Sequence, residues 1–418
     1  MTKSSELSGF YKLTLDERLS AVKDFADLTD EEVSLLKKES ALPLDQADRM
    51  VENAIGTHAL PLGVAVNFLI NNKDYIIPMA IEEPSVIAAA SNTAKLVRAT
   101  GGFRTSSTDP IMIGQIYFMD IENPAAAKEK ILSKKQEFLE IMNSRDPLLI
   151  KYGGGARDIE VDIIETSKGP SLRVHILVDC RDAMGANAIN TMVEALSPEL
   201  QTLVGGDPIL RIISNLADRR LARAEVTFPK DALGGAEVVE KILRAYAIAD
   251  ADPYRACTHN KGVMNGISAV IVATGNDWRA VEAGAHAYAS RSGQYKPLTK
   301  YEINNDGDLV GSIELPMAVG LVGGATKVHP TAQVAVKILG VKSANELGEV
   351  IATVGLAQNF AAIRAIATEG IQKGHMRLHA RNIAASAGAK GAKIDEIAEQ
   401  LISENKISMT RAKELLSN

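Results

Sequence analysis

The sequence predicts an α+β protein, in which a helix-rich large unit is interrupted by a smaller β-α-β-β-α-β module and followed by a small helical unit. Three observations carry this reading. From about 110 to 218, apolar strand-length runs alternate with two helical stretches in the order of a split βαβ unit. The flanking sequence is dominated by long, Ala-rich amphipathic patterns. The final stretch, "KIDEIAEQLISENKISMTRAKELLSN", reads as two short amphipathic helices behind the hinge-like loop "SAGAKGAK".

Taken in order, Thr14 before "LDERL" and Thr29 before "DEEVSLL" are helix N-caps, each with acidic residues in the first turn. A third helix is expected over 44–55. The apolar runs "VAVNFLI" (64–70) and "YIIPMAI" (75–81), joined by "NNKD", predict a hairpin. A helix follows within 82–102, with Pro84 suited to its first turn and Gly101 to its end. The strand "IMIGQIYFM", a charged helix at 123–144, strands at 158–165 and 171–179, a helix near 187–197 and a strand at 208–214 complete the ferredoxin-like order. Helices then cover 230–249, 258–274 and 277–291, a hairpin at 301–315 turns through "NNDGD", and helices return at 329–339, 343–368 and 376–387.

The chain of 418 residues is 46% hydrophobic and 23% charged with a net charge of −6, which suits a globular protein with more than one core and argues against a nucleic-acid binder. Two cysteines, Cys180 and Cys257, make no disulfide framework and no cysteine-built zinc site; a reducing, cytoplasmic setting is expected. The N-terminal segment lacks a signal-peptide apolar core, and no stretch reads as long enough to span a bilayer.

Nucleotide signatures are missing: there is neither G-x-x-x-x-G-K-[ST] nor G-x-G-x-x-G between a strand and a helix. A substitute is "VDCRDAMGANAINTM" (178–192), where a strand leads through Asp182 and Gly185 into a helix start able to receive a phosphate. A plain capped turn explains the same residues. His375 and His379 share a helix face in "GHMRLHARN", but without the glutamate of a zinc-protease motif, and no metal is expected. Glu82 and Glu83 sit between apolar runs, where an acid is either a helix-dipole partner or a desolvated proton donor. Lys261 lies between glycines and asparagines in "THNKGVMNG", with Asp277 beyond an apolar run. A structural ion pair is the plain reading; a lysine held dry against a developing anion is the chemical one. For Cys257 the plain reading is a small buried thiol.

Together these stretches resemble one family, the soluble, bacterial-type (class II) 3-hydroxy-3-methylglutaryl-CoA (HMG-CoA) reductases. The resemblance runs through "ENAIGTHALPLGVA" (52–65), "EEPSVIAAAS" (82–91), "DAMGAN" (182–187), "DPYRACTHNKGVMNG" (252–266), "TGNDWRAVEAGAHAYA" (274–289), "MAVGLVGGATKVHP" (317–330), "VGLAQN" (354–359) and "GHMRLHARN" (374–382). It implies a cytoplasmic homodimer with active sites between subunits. It also implies a large domain (1–109 and 219–373) for dimerisation and HMG-CoA, an inserted nicotinamide-binding domain (110–218) and a C-terminal flap (374–418).

The implied reaction reduces the thioester to mevalonate and free coenzyme A with two NADH or NADPH. Glu83, Lys261, Asp277 and His375 are the implied catalytic set. Lys261 would stabilise the carbonyl oxygen as it turns anionic, in surroundings where glycines and asparagines make room for the ammonium. His375 would protonate the departing thiolate, Glu83 would protonate the aldehyde oxygen, and Asp277 would couple Lys261 to Glu83. Arg255 would grip the acyl carboxylate, helped by Ser85, Asn265 and Asn359. Asp182, Ala183, Met184, Gly185, Ala186, Asn187 and Asn215 would hold the cofactor. Asp146 would favour NADH by bonding the ribose 2′-hydroxyl, although Arg145 beside it is the residue type that accepts a 2′-phosphate. A chain running mainly from mevalonate to thioester, or a non-catalytic acyl-CoA binder, are the alternatives.

Overall fold

The computed structural model describes the backbone of residues 3–368 and 371–417, and the side chains of all of these except 371–378. Thr14 and Thr29 each close a full capping box, with Glu17 and Glu32 reaching back to the cap amides of helices Leu15–Ala26 and Asp30–Leu36. Strands Leu62–Ile70 and Lys73–Ala80 pair antiparallel. Their turn residues Asn71 and Asn72 have φ of 47° and 62°, the left-handed pair of a tight hairpin turn. The third helix stops at Met50, and Val51 is extended. Pro84 precedes its helix rather than opening it, because Ser85 takes a left-handed φ of 73° before Val86–Arg98 begins.

In the insertion, the sheet order is Gly155–Thr166, Gly169–Asp179, Ile111–Met119, Asp207–Ile213, all antiparallel. The two central strands are thus the first and third of the module, which is the split βαβ arrangement. Helix Ala186–Val204 covers one face together with Pro124–Ser133 and Lys135–Asn143. The predicted single helix over 123–144 is broken at Lys134, and an unforeseen short helix, Pro147–Lys151, follows it. A separate apolar core built on Ile116, Phe118, Val174, Ile176, Ile189 and Met192 fills this module.

The large unit centres on a second antiparallel sheet, Arg104–Ser107, Leu221–Phe228, Leu309–Pro316, Thr299–Ile303. Leu221–Phe228 was not expected as a strand. Its alternate inward residues, Ala222, Ala224, Val226 and Phe228, include two alanines, which carry little strand signal. Helix Ala344–Ala367 is the core helix, packed on this sheet, on Val86–Arg98 and on Pro253–Ala273. It corrects the expectation that no stretch is long and apolar enough for a membrane: its 24 residues have a best-window mean hydropathy of 1.5, and 67% of that window is buried inside the fold. The C-terminal helices Ile371–Ser386, Lys393–Ser403 and Met409–Ser417 enclose a small core of their own around Ala384, Ile397 and Leu401.

Candidate active site

Lys261 lies within one helix, Pro253–Ala273, capped by Asp252 with Pro253 at its first position. The glycines that seemed to make room for the ammonium have another duty. A Cβ on Gly266 would stand 2.8 Å from the Val354 carbonyl oxygen of the core helix, and one on Gly355 would stand 2.7 Å from Ile267. They let two helix backbones approach closely. Asn260 is also structural: fully buried, it donates to the Lys296 carbonyl and accepts from the Leu298 amide.

What does face Lys261 is a carboxylate. Its Nζ donates to Glu83 Oε2 at 2.7 Å, and Asn265 Nδ2, one turn along the same helix face, reaches the same oxygen at 3.5 Å. Glu83 is brought there by the irregular stretch after strand Lys73–Ala80, just before the left-handed Ser85. The lysine is not dry, since its side chain is 60% exposed and that of Glu83 33%. Arg255 stands further up the helix, half-buried, and burial holds its guanidinium below the usual arginine value. Glu83 and Ser85 line a cavity of about 800 Å³ whose wall is largely apolar, including Phe10, Tyr11, Leu19 and Ile87, with Arg18 and Lys95 as its cations. The N-terminal arm that supplies Phe10 and Tyr11 is tied down by Ser5, which bonds Asp74 and the Phe68 carbonyl.

Asp277 is not part of this cluster. It caps helix Trp278–Ala289, accepting from the Arg279 and Ala280 amides, and pairs with Arg279 at 3.4 Å. The twelve steps from Lys261 to Ala273 rise about 18 Å along their helix, and within one chain Lys261 pairs with Glu83 and Asp277 with Arg279. Asp277 lies instead beside Asn276, on the side of the 182–187 loop. Asn276 Oδ1 accepts from the Gly320 amide at 2.8 Å, Leu321 donates to the Asp182 carbonyl at 2.8 Å, and Ala183 bridges Val322. Asn215, exposed on the loop after strand Asp207–Ile213, has its carbonyl against Gly284 of the same Asp277-capped helix.

The loop itself suits a dinucleotide. Gly185, at φ 103°, ends it without a side-chain cap, so the first amides of the 19-residue helix Ala186–Val204 have no capping side chain. A Cβ at Gly185 would collide with Cys180 Sγ at 2.3 Å, and one on Gly320 with the Met184 nitrogen at 2.6 Å. Asp182 is already engaged: Oδ1 accepts from the Ala344 amide at 2.7 Å. Asp146 caps Pro147–Lys151 through the Leu149 amide at 2.9 Å.

Two further residues have surroundings that the sequence did not reveal. Asn359 is 1% exposed; its Oδ1 accepts from the Thr299 and Tyr301 hydroxyls and its Nδ2 donates one N–H to the His259 carbonyl, so this amide ties the core helix to its neighbours and keeps one N–H beyond these bonds. Cys257 is exposed, one turn from Lys261, while Cys180 is the buried thiol, pushed up to about 12 by burial. The side chain of His375 lies outside the described residues, and among those described no three His, Cys, Asp or Glu converge as metal ligands. Arg220, discussed below, was missed altogether: beside Arg219 it reads as a solvated charge, yet it is 3% exposed.

A sequence model of hydroxymethylglutaryl-coenzyme A reductase matches residues 14–380. The 3-hydroxy-3-methylglutaryl-coenzyme A reductase of Archaeoglobus fulgidus is 58% identical over 99% of this chain and 94% of its own, and a probable reductase of Borreliella burgdorferi is 38% identical over 80% and 77%. The fold superposes on the Streptococcus pneumoniae reductase with a TM-score of 0.85 at 43% identity, covering 98% of this chain and 99% of that one. A class II structure of the same enzyme bound to NADPH in open conformations gives 0.83 at 42%, covering 97% and 99%. The chain belongs to the hydroxymethylglutaryl-coenzyme A reductase family.

Proposed function

We infer that the chain interconverts HMG-CoA with mevalonate and coenzyme A, using two reduced nicotinamide cofactors. The observation that carries this reading is the Lys261–Glu83 pair, with Asn265 on the same oxygen, beside the largely apolar cavity that Glu83 lines. A cavity of about 800 Å³ suits the long thioester arm, and its two cations suit the phosphates. Arg255, on the helix that carries Lys261, supports the acyl-carboxylate assignment. The cofactor supplies hydride when bound. Lys261 meets the negative charge that hydride arrival leaves on the carbonyl oxygen, an interaction worth on the order of 3 kcal/mol in barrier. Glu83, in contact with that ammonium, is placed to receive and return the proton of the alcohol oxygen. Protonation of the departing thiolate stays with His375, carried over by motif.

The separation of Asp277 from Lys261 supports a homodimer with shared sites. In that arrangement one chain presents the acyl group on Glu83, Lys261 and Asn265, while the partner brings Asp277 and the cofactor loop 182–187 with Asn215. Substrate and the second copy together would cover the exposed ammonium. The division into large domain, insertion and flap at 110, 218 and 374 is supported by the separate cores of each part. Preference for NADH rests on Asp146, whose charge would repel a 2′-phosphate. Cytoplasmic placement is supported by the burial of 67% of the apolar window in helix Ala344–Ala367.

The test is a steady-state assay with the CoA thioester and each cofactor in turn. Two reduced cofactors oxidised per thioester is the expected result. Thioester binding with no cofactor oxidised would leave only the acyl-CoA-binding alternative.

A further inference from the structure

We propose that Arg220 is a positioning residue for the nicotinamide cofactor: a buried guanidinium that holds the 181–184 loop against the large unit and leaves its positive charge beneath the phosphate-binding helix start. The residue stands where the chain leaves the insertion, just before strand Leu221–Phe228. Its Nη1 donates to the Ala183 carbonyl at 2.9 Å and the Met184 carbonyl at 3.5 Å; its Nη2 donates to Val319 at 2.6 Å and Arg181 at 3.5 Å. Three of these carbonyls belong to the loop and one to the segment that also binds Asp182 and Asn276.

Two features separate this from an ordinary buried arginine. No carboxylate among the described residues lies within ion-pair distance of Arg220, although it is 3% exposed. Burial of a charge is costly; the backbone carbonyls and, beyond ion-pair distance, the Asp182 and Asp179 carboxylates compensate it in part, and the guanidinium keeps its charge directly against the loop backbone. That charge lies under Ala183 and Met184, immediately before the uncapped helix at Gly185, and adds to the helix dipole. Second, the loop holds a strained residue: Arg181 has a left-handed φ of 49°, whereas Gly185 takes 103° without steric cost. A non-glycine residue held in this region persists only where its surroundings hold it, and Arg220 touches the carbonyls of three of the four residues from Arg181 to Met184. Lysine has no planar fork and fewer donors, so it reproduces the charge but only part of the clamp.

This inference rests on the reading of 182–187 as the cofactor loop, and the experiment separates the two. NADPH and NADH binding to the full-length protein is titrated by fluorescence for Arg220→Met, Arg220→Lys and Asn187→Asp, alongside KM for the thioester. Asn187→Asp puts an anion at the exposed helix start; acids there support the helix, so folding is retained while a phosphate is repelled. The expected result is cofactor affinity weakened about tenfold or more in Arg220→Met, partial recovery in Arg220→Lys, and unchanged thioester KM in both. If Asn187→Asp weakens the cofactor while both Arg220 variants bind it normally, the positioning role falls and the loop assignment stands. If none of the three changes cofactor affinity, the loop assignment falls as well. Should Arg220→Met fail to fold, Arg220→Lys decides: a lowered melting temperature with unaltered cofactor affinity reduces Arg220 to a structural role.

Discussion

Lys261→Ala and Asp277→Asn should each abolish reduction, yet mixing the two inactive proteins should restore activity. The geometry sets the magnitude. Lys261 and Asp277 are separated by about 18 Å of helix and the turn beyond it, so a site needing both draws them from different copies. Random reassortment of two variants leaves about half of the dimers mixed, and each mixed dimer has one site with both defects and one with none. The expected yield is therefore about a quarter of wild-type activity. Neither substitution should disturb folding. The Lys261–Glu83 pair is largely exposed and worth about 0–1 kcal/mol, alanine is the best helix former, and asparagine caps Trp278–Ala289 as well as aspartate. The assay is thioester-dependent cofactor oxidation after mixing through mild dissociation, with subunit exchange verified by mass-tagged chains. Mixed dimers that form in the expected proportion and stay inactive would refute the shared site.

Asn359→Ala should lower stability by on the order of 3 kcal/mol, because the Thr299 and Tyr301 hydroxyls and the His259 carbonyl lose their partner in the core. Urea denaturation measures this; an unchanged midpoint with weakened thioester binding would return Asn359 to the substrate site. His259 predicts an acid limit. Burial, reinforced by Arg255, holds its imidazole down at about 3 against an ordinary 6.5. The unfolded chain therefore binds the extra proton first as pH falls. The stability this histidine contributes is complete above 6.5 and is lost progressively toward 3, at up to about 1.4 kcal/mol per pH unit. Denaturant midpoints in that window should fall less steeply for His259→Gln than for the native chain; equal slopes would assign the acid sensitivity elsewhere.

Much of this architecture is legible along the chain because its signals are local. Thr14–Glu17 and Thr29–Glu32 announce helix starts whatever the rest of the molecule does. The strand and helix periods of the insertion likewise predict its topology, since a split βαβ order leaves few ways to pair the strands. Where the reading failed, the deciding partner is distant in sequence. Gly266 looks like space around an ammonium until the core helix is seen against it. The structural share of Asn359 is invisible until Thr299, Tyr301 and His259 are found on it. Strand Leu221–Phe228 hides behind alanines that become inward residues only when Leu309–Pro316 lies alongside.

The sequence by itself determined the element order, the family, and which side chains have the chemistry for hydride-linked proton and anion handling, because residue type and motif spacing are one-dimensional properties. Only the tertiary structure decided which of those side chains meet. Lys261, Glu83 and Asn265 do, whereas a straight helix carries Asp277 out of reach and toward the 182–187 loop. It also exposed the buried Arg220, since whether an arginine is solvated or desolvated depends on what folds over it.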